Sequence, residues 1–164
     1  MSMKLIGTVT VGAGGAASIA FSGIPATETD LLLSVSLAPS AGNNNVLLSF
    51  NGSSTSFSSR YIYGTGSAVT GGDRADNVFG ALAGLSSTVF SNAQIYIPNY
   101  ATAINKSFSI DTVTENNATV SFQWFHTGLW SNTAAINSIT LAAADSFVQN
   151  SVVSLYTINK VASA

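Results

Sequence analysis

The chain contains no cysteine and very little charge. Five Lys and Arg and seven Asp and Glu make up 7% of its 164 residues, against roughly 25% in ordinary globular proteins. Without cysteine there can be no disulfide and no thiolate metal site, and the redox compartment is left open. The few cations, Lys4, Arg60, Arg74, Lys106 and Lys160, are scattered in sequence. Nucleic-acid binding needs clustered cations to displace counterions from phosphates, so that class of partner is not expected. Mean hydropathy is positive, at +0.37. Even so, Ser, Thr and Asn interrupt every apolar run before it reaches the ~18 residues of a membrane helix, and no membrane insertion is expected. The Gly-rich stretch Leu5–Ala17, with Thr8 and Thr10 between apolar residues, does not read as a secretory leader. An outer-membrane barrel would close on a strand ending in an aromatic residue; this chain closes on Lys160-Val161-Ala162-Ser163-Ala164.

What is present is alternation. The stretch Ile95–Trp130 organises the reading. Phe108 and Ile110 alternate with Ser107, Ser109 and Asp111; Val120, Phe122 and Trp124 alternate with Thr119, Ser121 and Gln123. Side chains on a strand point to opposite faces with period two, so each run has one apolar and one polar face. Glu115-Asn116-Asn117-Ala118 suits a tight reversal between them, because Asn tolerates left-handed backbone and bonds its own chain. The pair reads as an antiparallel hairpin with Val120, Phe122 and Trp124 in the core. Its apolar face needs cover, expected from Leu31–Leu37, Ala135–Leu141 and Ser151–Ile158.

Further strands are expected at Leu5–Val11, Ala17–Phe21, Thr29–Leu37, Val46–Phe50, Phe57–Tyr63 and Asn92–Pro98. Asn51-Gly52 is the strongest short turn signal. Gly64–Asp76, with four glycines, reads as a long exposed loop. Val78–Phe90 reads either as a strand pair or as one helical turn around Ala81–Leu85. Ala142–Phe147 reads as a loop. Nine or ten short strands at this spacing predict one all-β domain over residues 1–164, an antiparallel β-sandwich of jelly-roll type. Residues 1–11 would form an edge strand or an arm, and residues 159–164 a frayed tail.

No catalytic constellation emerges, and the expectation is a non-enzyme with no cofactor. The single histidine, His126, reads as a half-buried residue at a strand end. The acids do not form a facing pair. Asp73-Arg74-Ala75-Asp76 could offer oxygens to a cation but lacks the acid density of a calcium loop. The aromatic residues Tyr61, Tyr63, Tyr96, Tyr100, Trp124, Phe125 and Trp130 could form either a sugar-stacking platform or a subunit contact. A weakly charged surface favours the contact. The candidate interface residues are Tyr96, Tyr100, Phe125, Trp130, Tyr61, Tyr63, Arg60 and Arg74.

Several segments carry a family resemblance: Ser18–Leu31 (SIAFSGIPATETDL), Ser49-Phe50-Asn51-Gly52, Arg60–Ser67 (RYIYGTGS), Ile95–Tyr100 (IYIPNY), Lys106–Asp111 and Gly128–Ile136 (GLWSNTAAI). Together they resemble a set of small virion proteins of tailed bacteriophages, of the kind found in cyanophages and other aquatic phages. The resemblance spans nearly the whole chain and implies a virion structural protein with a β-sandwich fold. The expected role is a capsid decoration, or cement, protein on the capsid surface. Its expected partners are the major capsid protein and further copies of itself, as a homotrimer. The alternative is a tail-associated adhesin with a host surface glycan as partner.

Overall fold

The computed structural model describes residues 2–116 and 119–160. Twelve strands follow one another: β1 (Ser2–Thr10), β2 (Ala16–Ser22), β3 (Asp30–Ser36), β4 (Val46–Phe50), β5 (Phe57–Gly64), β6 (Val69–Arg74), β7 (Val78–Phe79), β8 (Asn92–Pro98), β9 (Lys106–Glu115), β10 (Ser121–Trp130), β11 (Ser138–Phe147) and β12 (Val152–Asn159). They form two antiparallel sheets packed as a sandwich. The larger has the order β1-β12-β3-β8-β9-β10-β5-β6, and the smaller has the order β2-β11-β4-β7. With the hairpins β5–β6 and β9–β10 set aside as insertions, β1-β12-β3-β8 lies opposite β2-β11-β4-β7. That winding is consistent with a jelly roll. Both insertions join the same edge and lengthen one sheet only.

Alternation decides which face each strand buries. On β9, Lys106, Phe108, Ile110, Thr112 and Thr114 are buried, while the residues between them are exposed. Leu31, Leu33, Val35, Ile95, Ile97, Val153 and Leu155 face the smaller sheet, and Ile19, Phe21, Leu48, Phe50, Ile139 and Leu141 meet them in one core. At one end of this core Phe50, Phe57, Phe108 and Trp130 pack ring against ring, with centroids 5.4–6.3 Å apart. Edge-on and tilted aromatic pairs of this kind add directionality to burial.

The Asn51-Gly52 turn behaves as expected. Both residues take positive φ, 53° and 73°, the backbone that an Asn-Gly hairpin turn demands. The Asn51 side chain then clamps the chain before β11: its Nδ2 donates to the Ala135 carbonyl at 2.8 Å, and its Oδ1 accepts from the Asn137 N–H at 2.8 Å and the Ser138 N–H at 3.2 Å.

Several expectations need correction. Gly64–Asp76 is not a loop throughout, since Val69–Arg74 pairs with β5 as the outermost strand. An edge strand needs backbone hydrogen bonds on one side only, so it can form from glycines without an apolar stripe. Val78–Phe90 is neither a strand pair nor a helical turn; Val78–Phe79 is its one strand, Ser86 and Val89 form an isolated bridge, and Ala81 has φ 58°. Ala142–Phe147 belongs to β11, whose pairing with β2 is interrupted by a register shift between Ala142 and Phe147. The cover shown over the β9–β10 hairpin includes Phe50 of β4 and Phe79 of β7, which pack on Phe108, Trp130 and His126, while β3 and β12 lie in the hairpin's own sheet. Residues 2–10 form an edge strand paired with β12. Of the expected 115–118 reversal, Asn117 and Ala118 lie outside the described residues. So does the 161–164 part of the expected tail, whereas Asn159 still belongs to β12.

One glycine is required by packing. Gly128 sits directly opposite Phe108, and a Cβ on it would fall 2.2 Å from the Phe108 ring. The ring lies over the glycine and closes the core there. Gly128→Ala should therefore overpack the core and cost about 1–3 kcal/mol, read from urea unfolding. Combining it with Phe108→Leu should recover part of that loss; strictly additive losses would show that the ring contact is not the cause.

Candidate interaction surfaces

The inserted hairpins place the candidate residues on two opposite faces of one plate. On the inner face, successive cross-strand rows read Thr112–Trp124–Tyr63–Thr70, Ile110–His126–Tyr61–Gly72 and Phe108–Gly128–Ser59–Arg74. On the outer face they read Val113–Gln123–Gly64–Val69, Asp111–Phe125–Ile62–Gly71 and Ser109–Thr127–Arg60–Asp73.

The inner face is an aromatic column. Tyr63 stacks on Trp124 at 4.2 Å with the planes 14° apart, and Trp124 stacks on His126 at 5.3 Å and 13°. Tyr61 tilts against Trp124 at 5.0 Å and against His126 at 5.8 Å. These contacts use the ring faces within the chain. Gly80 closes on the Trp124 ring edge, where an added Cβ would lie 3.1 Å away. Phe122, Trp124, Tyr61 and Tyr63 are half-buried, because the smaller sheet does not reach this far. Val120, expected in the core, is 40% exposed and precedes β10.

His126 is not at a strand end and not half-buried. β10 continues to Trp130, and His126 is 2% exposed. Its Nε2 lies 3.2 Å from the Gly80 carbonyl, to which it donates as the neutral tautomer. Phe79 covers it at 5.6 Å. Burial pushes its pKa down to about 4; the Gly80 carbonyl works the other way, and the nearby Arg74 adds to the fall.

Tyr100 and Trp130, expected at an interface, are 0% and 1% exposed and belong to the core. The Tyr100 hydroxyl donates to the Pro25 carbonyl, which spends its polar end inside the chain. Tyr96 lies half-buried on the outer face, where its hydroxyl donates to Asp30. Asp30 also accepts from the Asn99 N–H at 3.1 Å and pairs with the Lys160 ammonium at 2.6 Å. Burial works to raise the Asp30 pKa, but these partners outweigh it and hold the carboxyl below its usual range. The latch fastens the end of β12 onto β3 and β8. No sequence signal marked Asp30 or Lys160, since 130 residues separate them.

Lys106 is likewise unmarked in sequence. It is fully buried, and its ammonium donates to the carbonyls of Thr102, Ile104 and Thr133. It holds the 99–105 turn against the loop after β10. Arg74 donates to both carboxylate oxygens of Asp76, at 2.9 and 3.1 Å, while Asp73 faces Arg60 at 3.9 Å with both side chains 70% exposed. The two acids of this segment thus each face an arginine. No cluster of three or more His, Asp or Glu that could hold a metal ion occurs among the described residues.

Phe125, Ile62, Val69 and Val113 remain on the outer face, exposed by 44%, 53%, 78% and 45%. Phe125 was expected to point away from the core, and it does. Ile62 and Val69 were missed because Ile62 lies between two tyrosines, where the alternation is mixed, and Val69 stands alone in a glycine-rich stretch. Ile62, Val69 and Phe125 surround an open depression of about 190 Å³ with Tyr63, Gly64 and Gln123. Compared with family models, curated proteins and solved structures, the chain matches none.

The buried histidine yields a pH test. The unfolded ring takes a proton near pH 6.5, the folded ring only near 4. Between these values the unfolded state binds more protons, so stability falls as pH drops from 6.5 to 4 and then levels off for this group. The loss should total about 3 kcal/mol at most. Urea titrations of His126→Phe should show a flattened slope in that window; an unchanged slope would assign the acid sensitivity elsewhere.

Proposed function

We propose that the chain is a structural protein of a tailed-phage virion, a capsid decoration protein that bridges major capsid protein subunits. The observation that carries this reading is the outer face of the eight-stranded sheet. It is a broad surface rich in Ser, Thr and Gln with six exposed large apolar side chains, Met3, Leu5, Ile62, Val69, Val113 and Phe125, and few charges; the chain as a whole has only twelve charged residues among 164. Such a face repels its own copies weakly and suits shallow contact with a neighbour better than solitary life in solution. Each contact would be modest; symmetry multiplies it, and many weak contacts on one shell give strong retention. The phage resemblance of the sequence points the same way. The aromatic column lends less support to a glycan-binding adhesin, since its ring faces are stacked on one another.

Immunogold labelling of virions with antibody against this chain should decorate heads at high copy number. Label confined to the tail would sink the capsid reading and favour the adhesin. Added to capsids lacking it, the purified protein should bind at saturable stoichiometry, and Phe125→Asp should weaken that binding at least tenfold if the outer face is the contact.

A further inference from the structure

We propose that β6 is a docking edge for a second copy of this chain, which adds its own β6 antiparallel to form a two-fold dimer with one continuous sheet. Any sheet edge presents unpaired N–H and C=O groups, and proteins ordinarily blunt such edges. The opposite edge of the same sheet, β1, carries Lys4 and a register break between Leu5 and Gly7. In the smaller sheet, the edge strand β7 is only two residues long, and the other edge, β2, lies beside β1 and loses its regular ladder with β11 between Ser18 and Ala16. By contrast, β6 runs six residues as VTGGDR, without proline or lysine.

The direction of its free groups follows from the turn. The Thr65 N–H bonds the Ala68 carbonyl at 3.0 Å, and antiparallel pairs alternate between hydrogen-bonded and non-bonded. With the register Gly64–Val69, Ile62–Gly71 and Arg60–Asp73, it is Val69, Gly71 and Asp73 that turn their backbone groups away from β5. Of these, Val69 and Asp73 point their side chains to the outer face, where Ile62 and Phe125 also lie.

A second β6 is a better match than an arbitrary strand because the edge is self-complementary. In an antiparallel pairing centred on Thr70, Val69 of each copy falls opposite Gly71 of the other, so two outward donors and two outward acceptors meet on each side of the axis. Gly71 leaves room on the outer face, and Ile62 Cγ2 lies 3.5 Å from the Cβ position that Gly71 lacks. The incoming Val69 therefore lands against Ile62, and its 78% exposure is removed. On the inner face Thr70 meets Thr70, a favourable cross-strand pair. Asp73 falls beside Ser67, and no charge meets a like charge. One strand pair and a few apolar side chains are less than the ~800 Å² per partner of a standard complex. The contact is therefore weak in solution and effective where copies are already crowded. It produces pairs, and so differs from the trimer expected from the family resemblance.

Sedimentation equilibrium of the full chain from about 10 µM to about 1 mM tests this, together with amide hydrogen exchange at both ends of the range. The average mass should rise towards the dimer, and the amides of Val69, Gly71 and Asp73 should exchange at least tenfold more slowly in the concentrated sample. Val69→Lys should leave the chain monomeric with an unchanged melting curve. Gly71→Pro removes an outward N–H and should do the same without disturbing the bonds to β5. A monomer throughout the range, a trimer, or a dimer indifferent to both substitutions would overturn the proposal. The dimer does not rest on the virion reading: pairing without capsid binding would sink that reading and keep this one.

Discussion

The rest of the molecule depends on the register of β10 between β9 and β5. Ten residue pairs fix it on one side and eight on the other. A slip of one residue would exchange the two faces, placing Phe125, Gln123 and Thr127 inside and His126, Trp124 and Trp130 in water. Two aromatic–glycine fits pin registers in this plate more firmly than hydrophobicity alone could, one holding β10 on β9 and the other β6 on β5. Phe108 lies over Gly128, and Tyr61 lies over Gly72, where an added Cβ would fall 2.5 Å from the Tyr61 hydroxyl. Each fit works only when those two residues are direct cross-strand neighbours. The plate that the hairpins form is therefore rigid in its side-chain pattern although the smaller sheet does not cover all of it.

That incomplete cover explains the placement of the unusual polar groups. Where the two sheets overlap, hydrophobic side chains fill the core and few polar residues enter. Towards the inserted strands, the 80–83 segment serves as cover in place of a strand. It has no partner strand for its backbone, so side chains of the plate satisfy it: the Thr112 hydroxyl donates to the Ala81 carbonyl at 2.7 Å, and His126 reaches the Gly80 carbonyl. A buried carbonyl without a partner is costly. The histidine is thus accounted for as a donor to that carbonyl, held neutral by the rings around it. Lys106 solves the same problem for the carbonyls of Thr102, Ile104 and Thr133.

The sandwich was legible because it rests on period two. Leu31–Leu37, Val46–Phe50 and the Phe108–Asp111 part of β9 carry their burial pattern in plain sequence, and Asn51-Gly52 announces its own geometry. β6 was not legible, because backbone pairing on one side makes it a strand and VTGGDR has no apolar stripe. Val120 illustrates a second failure: it keeps the parity of Phe122 and Trp124 but lies before the strand begins. Which layer each strand joins also escaped the reading, because parity tells inside from outside and not one sheet from another. Among the interface candidates, exposure separated Phe125 and Arg60 from Tyr100 and Trp130. Aromatic residues are used on both sides of a surface, so residue type alone could not make that distinction.

The first and last strands of the chain are neighbours, with Ser2 aligned to Asn159. Force applied between the two ends would load their hydrogen bonds one pair at a time, like a zipper, rather than all together in shear. The molecule should then yield readily to pulling at its ends while resisting loads carried across the plate. A tag or tether attached at either end would also emerge at the β1–β12 side, the edge of the eight-stranded sheet opposite β6. Labelled or surface-anchored protein should therefore keep the far edge of its sheet free.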